Sequence, residues 1–227
     1  LRSFMAEGVD VLVATDHDYI TDFTPVLAAI PDGAKWIRPV VGVELTTFDY
    51  GHYNGFPLQL DATKRNGGAV DWAGGNGPGF APKRIFESLH AFAGDQVVQL
   101  NHPNSGFFTA LGLDTRTLWT RNPPSHYRIE PIDPDPVTGD TRLYDDGFTA
   151  FELFNGFSLS KFETVASTWF ALMNRGVFKT ATAVSDTHKR HGNSGHPRTW
   201  VNAGSDTPST LDLAAWARAL NEGKAIG

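Results

Sequence analysis

Apolar, β-forming runs in this chain repeatedly end on a short cluster of histidine and acidic residues, and this recurrence constrains the fold more than any other feature. Residues 9–14 give way to Thr15-Asp16-His17-Asp18, residues 96–100 to Asn101-His102-Pro103, and residues 178–184 to Ser185-Asp186-Thr187-His188. A run over 36–45 closes on Val43-Glu44-Leu45, and one over 148–154 carries Glu152 and is followed by Asn155. A sixth, short run covers 199–202. Helical patterns separate these runs: a short one capped by Thr21 and Asp22, one from Pro82 to about residue 93, one over 160–174 and one over 210–220. Strands alternating with helices imply parallel βαβ units, in which chemistry gathers at the C-terminal ends of the strands. Asp16, His17, Glu44, His102, Glu152, Asn155, Asp186 and His188 are all expected at that end.

Helix 82–93 should bury Ile85, Phe86, Leu89 and Phe92, and helix 160–174 should turn Phe162, Val165, Ala166, Trp169, Phe170 and Met173 inward. Residues 61–81 and 104–147, rich in Gly, Pro, Asn or Asp, read as loops, the second long enough to be functional or to hide small elements. The 227 residues suit one α/β domain spanning 1–227. The first eight residues read as the end of a helix already under way, and the last six as the approach to a new strand. A longer polypeptide is therefore expected.

A net charge of −6 without a basic stripe argues against nucleic-acid or anionic-membrane partners. No stretch approaches the roughly 18 apolar residues of a membrane span. With no cysteine, disulfides, iron–sulfur clusters and thiolate-bound zinc are excluded. Histidine and carboxylate donors without thiolates suit zinc, manganese or iron, and bridging carboxylates let two or three such ions share a site. Glu44 is the natural bridge. A lone carboxylate in an apolar strand needs a cation, be it a metal or an Arg or Lys, or a hydrogen-bonding partner. His102 precedes Pro103, which biases it toward an extended backbone. Asp186 and His188, two apart, would face the same way if extended, although Asp186 also suits a loop cap. Asp16 is as well placed to orient a ligand as to be one. His52, eight residues beyond Glu44, joins on spacing alone. His90, His126, His191 and His196 read as packing or surface residues. Asp133-x-Asp135 with Gly139 lacks the closing Glu of a calcium loop. The glycines at 74–79 lack the Lys-Ser/Thr of a phosphate loop, and no Gly-x-Ser-x-Gly elbow is present.

Taken together, Thr15-Asp16-His17-Asp18, Gly42-Val43-Glu44 with Gly51-His52, Asn101-His102-Pro103, Phe151-Glu152-Leu153-Phe154-Asn155-Gly156, Leu172-Met173-Asn174-Arg175-Gly176, Ser185-Asp186-Thr187-His188 and Pro197-Arg198-Thr199 resemble the polymerase and histidinol phosphatase (PHP) superfamily. Within it the chain looks most like the CehA/McbA-type metallohydrolases. The resemblance implies a distorted (β/α)7 TIM-like barrel around a two- or three-metal site. It implies that Glu44 bridges two ions, that His52 and His102 complete one, that His17 and His188 hold another, and that Asp186 takes a further ion. The His-x-His strand that opens such proteins is missing here, so the expected barrel lacks its first strand.

The reading is of a metal-dependent hydrolase, a phosphoesterase first, in which metal-activated water attacks a small-molecule ester or phosphoester. Asp16 would serve in catalysis, and Asn155, Lys189 and Arg198 would contact the substrate. Carboxylic ester or carbamate hydrolysis is the alternative, on the strength of the aromatic residues Phe48, Tyr50, Tyr53, Phe107 and Phe108 near the strand ends. A metal-binding module without catalysis is the alternative of another class.

Overall fold

The computed structural model describes residues 1–48, 50–74, 79–110, 145–189 and 192–227. His126, His191, the Asp133-x-Asp135 pattern, glycines 75 and 77 and most of the 104–147 segment lie outside the described residues. In chain order the elements are α1 (Arg2–Ala6), β1 (Val11–Val13), α2 (Thr24–Ala28), β2 (Arg38–Val40), β3 (Val43–Thr46), β4 (His52–Phe56), α3 (Pro82–His90) and β5 (Val97–Asn101). They continue with α4 (Phe107–Ala110), β6 (Ala150–Asn155), α5 (Leu159–Met173), β7 (Thr180–Val184), β8 (Trp200–Val201), α6 (Leu213–Asn221) and β9 (Ala225–Ile226). Among the described residues no helix is long and apolar enough to cross a membrane.

The (β/α)7 barrel expectation is overturned. The strands form a five-stranded mixed sheet in the order β3-β4-β5-β6-β7 and two separate two-stranded pairs, β1-β2 and β8-β9. β4 runs antiparallel to both β3 and β5, whereas β5, β6 and β7 are parallel. Among the described residues no ladder joins β7 back to β1, so the sheet does not close. Between these two strands lies instead a cavity of about 1040 Å³, lined by Val11, Leu12 and Val13 on one side and Thr182, Ala183 and Val184 on the other.

Two strand readings are also corrected. The run over 36–45 is two strands, because the chain changes partner at Val41-Gly42: β2 pairs with β1, and β3 with β4. Gly42 permits the close approach that this exchange needs, since a Cβ there would sit 2.7 Å from the Ala14 carbonyl oxygen. β4 was not foreseen because His52, Asn54 and Gly55 break any apolar alternation. His52 and Asn54 meet polar partners on the neighbouring strands, Glu44 and Asn101, rather than an apolar layer.

The main core lies where α3, α4 and α5 cover the mixed sheet. Tyr53, Phe86, Phe107, Phe108, Phe148 and Phe151 are all buried there. They pack edge to face or tilted, with Tyr53 and Phe86 rings 5.1 Å apart and Phe107 and Phe108 rings 5.2 Å apart, the geometry that the ring quadrupole favours. A second cluster joins Val40, Phe56, Val97 and Ala150 to Leu211, Trp216 and Leu220 around α6. α3 buries Ile85, Phe86 and Leu89 as expected. α5 buries Ala166 and packs Val165 and Trp169 against the core as expected, but Thr168, Ala171 and Leu172 are buried as well and Phe170 is exposed. Apolar residues lie on more than one face of that helix, so periodicity alone does not choose the inward one. Asp212 caps α6 by accepting from the Ala214 and Ala215 amides, and Ser158 caps α5 through the Lys161 amide.

Phe86 touches Tyr53, Phe107 and Phe148 and so ties α3 to the sheet. Phe86→Ala should lower unfolding free energy by about 3–5 kcal/mol, the usual loss for a buried Phe, as read from urea denaturation followed by circular dichroism.

Candidate metal centre

Three backbone arrangements bring the site together. Glu44 sits in the middle of β3. The chain then turns back through the hairpin, pairing Thr46 with His52, so the start of antiparallel β4 lies at the same edge as the end of β3. β5 ends at that edge too, with Asn101 paired to His52. The segment after β1 is pinned alongside: His17 bridges to Glu44, the Glu44 amide donates to the Asp16 carbonyl, and the Asp18 amide donates to the Glu44 carbonyl. Asp18 adds a clamp, its Oδ1 accepting from the Thr46 amide at 3.0 Å and from the Trp72 indole at 2.7 Å.

The Glu44 carboxylate is buried and its two oxygens have different neighbours. Oε1 accepts from Asn101 Nδ2 at 3.0 Å and lies 3.2 Å from His52 Nδ1 and 3.6 Å from His102 Nε2. Oε2 lies 3.4 Å from His17 Nδ1. Glu44, His52 and His102 each offer a donor atom within 4.8 Å of the others, a group that can hold a metal ion. His17 connects this group to a further histidine: its ring stands 6.1 Å from that of His52 and 5.9 Å from that of His188. Its Nδ1 also lies 2.5 Å from Thr46 Oγ1. Burial is the strongest influence on the Glu44 carboxyl and pushes it up, but the approach of His102, His52 and Asn101 outweighs burial and holds it well below the usual carboxylate range.

His102 is gripped from behind by Glu152. Its ring Nδ1 lies 2.8 Å from Glu152 Oε1 and its backbone amide donates to the same oxygen at 3.0 Å. Both contacts need the left-handed backbone found here, φ +44°, in place of the extended conformation that Pro103 favours. The two bonds to one buried carboxylate outweigh the proline's preference. Asp186 is left-handed as well, at φ +45°, so Asp186 and His188 are not two positions of an extended strand. They still face each other, with His188 Nδ1 3.3 Å from Asp186 Oδ1. Asn155 links the two halves of the site, donating from Nδ2 to Glu152 Oε1 and to Asp186 Oδ2, both at 3.2 Å.

The sequence-derived candidates thus fall into groups. Glu44, His52 and His102 meet directly; His17, His188 and Asp186 adjoin them; the Asp16 side chain is exposed on the wall of the large cavity. Lys189 is exposed. Arg198 points toward the end of α1, donating to the carbonyls of Glu7, Gly8 and Gly195. The sequence puts Glu152 at a strand end without a role and Asn101 only beside His102. The signal that would have found both is an acidic or amide side chain inside an otherwise apolar strand. Of the aromatic residues near the strand ends, Tyr53, Phe107 and Phe108 are fully buried core.

No family model, no curated protein and no solved structure matches the chain. The residues themselves therefore carry the functional argument.

Burial opposes the charge on His102, but Glu152 and Glu44, one at each ring nitrogen, raise its pKa to about 10. A raised histidine pKa stabilises the fold fully below the ordinary value of 6.5 and loses that contribution as pH rises through about 10. The depressed Glu44 contributes fully above its ordinary 4.5 and loses it as pH falls through its lower folded value. In metal-free protein the pair should therefore stabilise most between pH 4.5 and 6.5. Denaturation across pH checks this, and the His102 ring proton resonances should titrate near 10, moving down in Glu152→Gln.

Proposed function

We propose that this chain is a metal-dependent hydrolase, most closely a phosphoesterase, related to the PHP superfamily through its strand-end motifs. The observation that carries the reading is the division of the Glu44 carboxylate, one oxygen toward His52 and His102 and the other toward His17. That is how a carboxylate shared between two cations is disposed. The chemistry of the donors fits a divalent ion: His52 Nδ1 is buried and, among the described residues, has no hydrogen-bond partner, its approach to Glu44 not being aligned as one, and an orphaned imidazole nitrogen beside a carboxylate is a ligand in waiting.

Zinc, manganese or iron bound here would supply Lewis acidity and lower the pKa of water toward neutrality. The protein's own groups do the rest. Glu44 provides the buried negative charge. Glu152 accepts the Nδ1 proton of His102 and so aims Nε2 at the site, the carboxylate–histidine arrangement that orients metal ligands. Around Glu44 Oε2, His17, His188 and Asp186 would make a second cation subsite. In this reading the Asp16 carboxylate, exposed on the cavity wall, would take a proton from the reacting water, and the exposed Lys189 ammonium would meet an anionic substrate. Of the five aromatic residues near the strand ends, Phe48 and Tyr50 are not fully buried, Phe48 standing edge-on to Trp72 at 5.2 Å, but neither lines the large cavity, whose aromatic residues are Phe4, Phe23, Phe56, Trp200 and Trp216. Phosphoesters stand ahead of carboxylic esters and carbamates because two cations with the Lys189 ammonium beside them would favour an anionic group.

The test begins with elemental analysis of protein purified without chelator, followed by a parallel screen of aryl phosphates and aryl esters. At least one equivalent of zinc, manganese or iron, with aryl phosphate turnover lost on chelation, is the expected result. Bound metal with no turnover of either class would leave a metal-binding module, and a folded, metal-free protein that takes up no added ion would end the reading. Glu152→Gln should weaken metal binding by about 10–100-fold. Because His102 must surrender a proton to a metal, apparent affinity should rise about tenfold per pH unit from neutrality toward pH 10.

A further inference from the structure

Behind Glu44 runs a line of buried polar side chains that the proposed chemistry does not use. Thr182 on β7 donates from Oγ1 to Gln99 Oε1 at 2.9 Å, reaching past β6 to β5. Gln99 Nε2 donates to Asn101 Oδ1 at 2.8 Å. Asn101 Nδ2 then donates to Glu44 Oε1 at 3.0 Å and to Asn54 Oδ1 at 2.7 Å. Thr182, Gln99, Asn101 and Asn54 are all buried. Buried amides far from an apolar layer are retained at a cost unless they are fully paired.

The line has one permitted direction, set at its carboxylate end. An anionic oxygen accepts and never donates, so Asn101 must present its amide nitrogen to Glu44 and its oxygen to Gln99. Gln99 must answer with its nitrogen, which leaves its oxygen facing Thr182. Thr182 must then donate. Its single hydroxyl proton has a competing acceptor, the Phe151 carbonyl at 3.2 Å, and its donation to Gln99 pairs the far end of the line. Without that proton the Gln99 oxygen is left buried and unpaired, so Gln99 shifts and its hold on Asn101, and through Asn101 on Glu44, loosens.

We propose that Thr182, Gln99 and Asn101 form a directional hydrogen-bond relay that positions Glu44 and so sets the metal affinity of the site from β7, four strands along the sheet from β3. The inference rests on the metal-centre reading and adds positioning residues to it. In this proposal they act through Glu44 and not as ligands of the metal.

The relay is tested on the full chain, stripped of metal, by titrating zinc against a chelating dye in the wild type, Thr182→Val, Thr182→Ser and Gln99→Met, with circular dichroism to verify folding. Thr182→Val keeps the shape and removes the donor; Thr182→Ser keeps the donor and removes a methyl. The relay requires Thr182→Val and Gln99→Met to weaken zinc binding by about tenfold or more while Thr182→Ser stays within about threefold of the wild type. A packing role gives the reverse order, with Thr182→Ser the weaker of the two threonine variants, and overturns the proposal. Equal zinc affinity in all four proteins also overturns it while leaving the metal centre standing. If the wild type binds no zinc, manganese or iron, the metal centre falls and the relay falls with it. Should Thr182→Val fail to fold, Gln99→Met against Thr182→Ser decides alone.

Discussion

Burying the Glu44 carboxylate is the constraint around which this structure is arranged. An ion moved from water into a protein interior is stabilised only by opposite charge or by donors held at hydrogen-bond distance. Glu44 has both, with the Asn101 amide on Oε1 and histidines approaching each oxygen. In metal-free protein the protonated His102, itself held between Glu44 and Glu152, stands in for a cation. One buried negative charge thus explains why imidazoles from three separate segments converge on it, and why a line of amides leads to it.

The same constraint bears on three of the five described non-glycine residues with positive φ. Asp18, His102 and Asp186 all adopt left-handed conformations, at φ +55°, +44° and +45°. Such residues cost about 1–3 kcal/mol each and persist where the surroundings over-determine them. At Asp18 the compensation is the pair of bonds to Thr46 and Trp72; at His102 it is the double contact with Glu152. The turn at Asp186 sets its carboxylate against both Asn155 and His188. Each of the three lies within or beside the candidate site.

The large aromatic core and the open sheet divide the labour. Interlocked rings under α3 and α4 make the side of the sheet beneath these helices rigid, which holds β3, β4 and β5 in register behind the ligands. The other side, between β1 and β7, is left as a cavity onto which Asp16, His17, Glu44, His102, Asp186 and His188 all open. A site needs both, fixed ligands and room for a substrate.

Much of the site was legible in the sequence. Strand-forming runs that stop on His, Asp or Glu located His17, Glu44, His102, Asp186 and His188, because side-chain chemistry and the end of an apolar run are both local properties. Helices α3, α5 and α6 were legible for the same reason, through their caps, glycine stops and periodicity. The closed, largely parallel barrel was not what formed. Whether a strand is parallel or antiparallel depends on the partner it meets, and β4, polar and glycine-containing, carried no local sign of being a strand. Only its antiparallel pairing to β3 and β5 brought His52 beside Glu44. Glu152, Asn101, Gln99 and Thr182 likewise acquire their roles from neighbours distant in the chain. The sequence by itself determined which donors exist and that most of them lie on or just after strand-forming runs; the tertiary structure alone decided which of them face one another, since a hydrogen bond or a shared ligand is a relation between residues that no local pattern records.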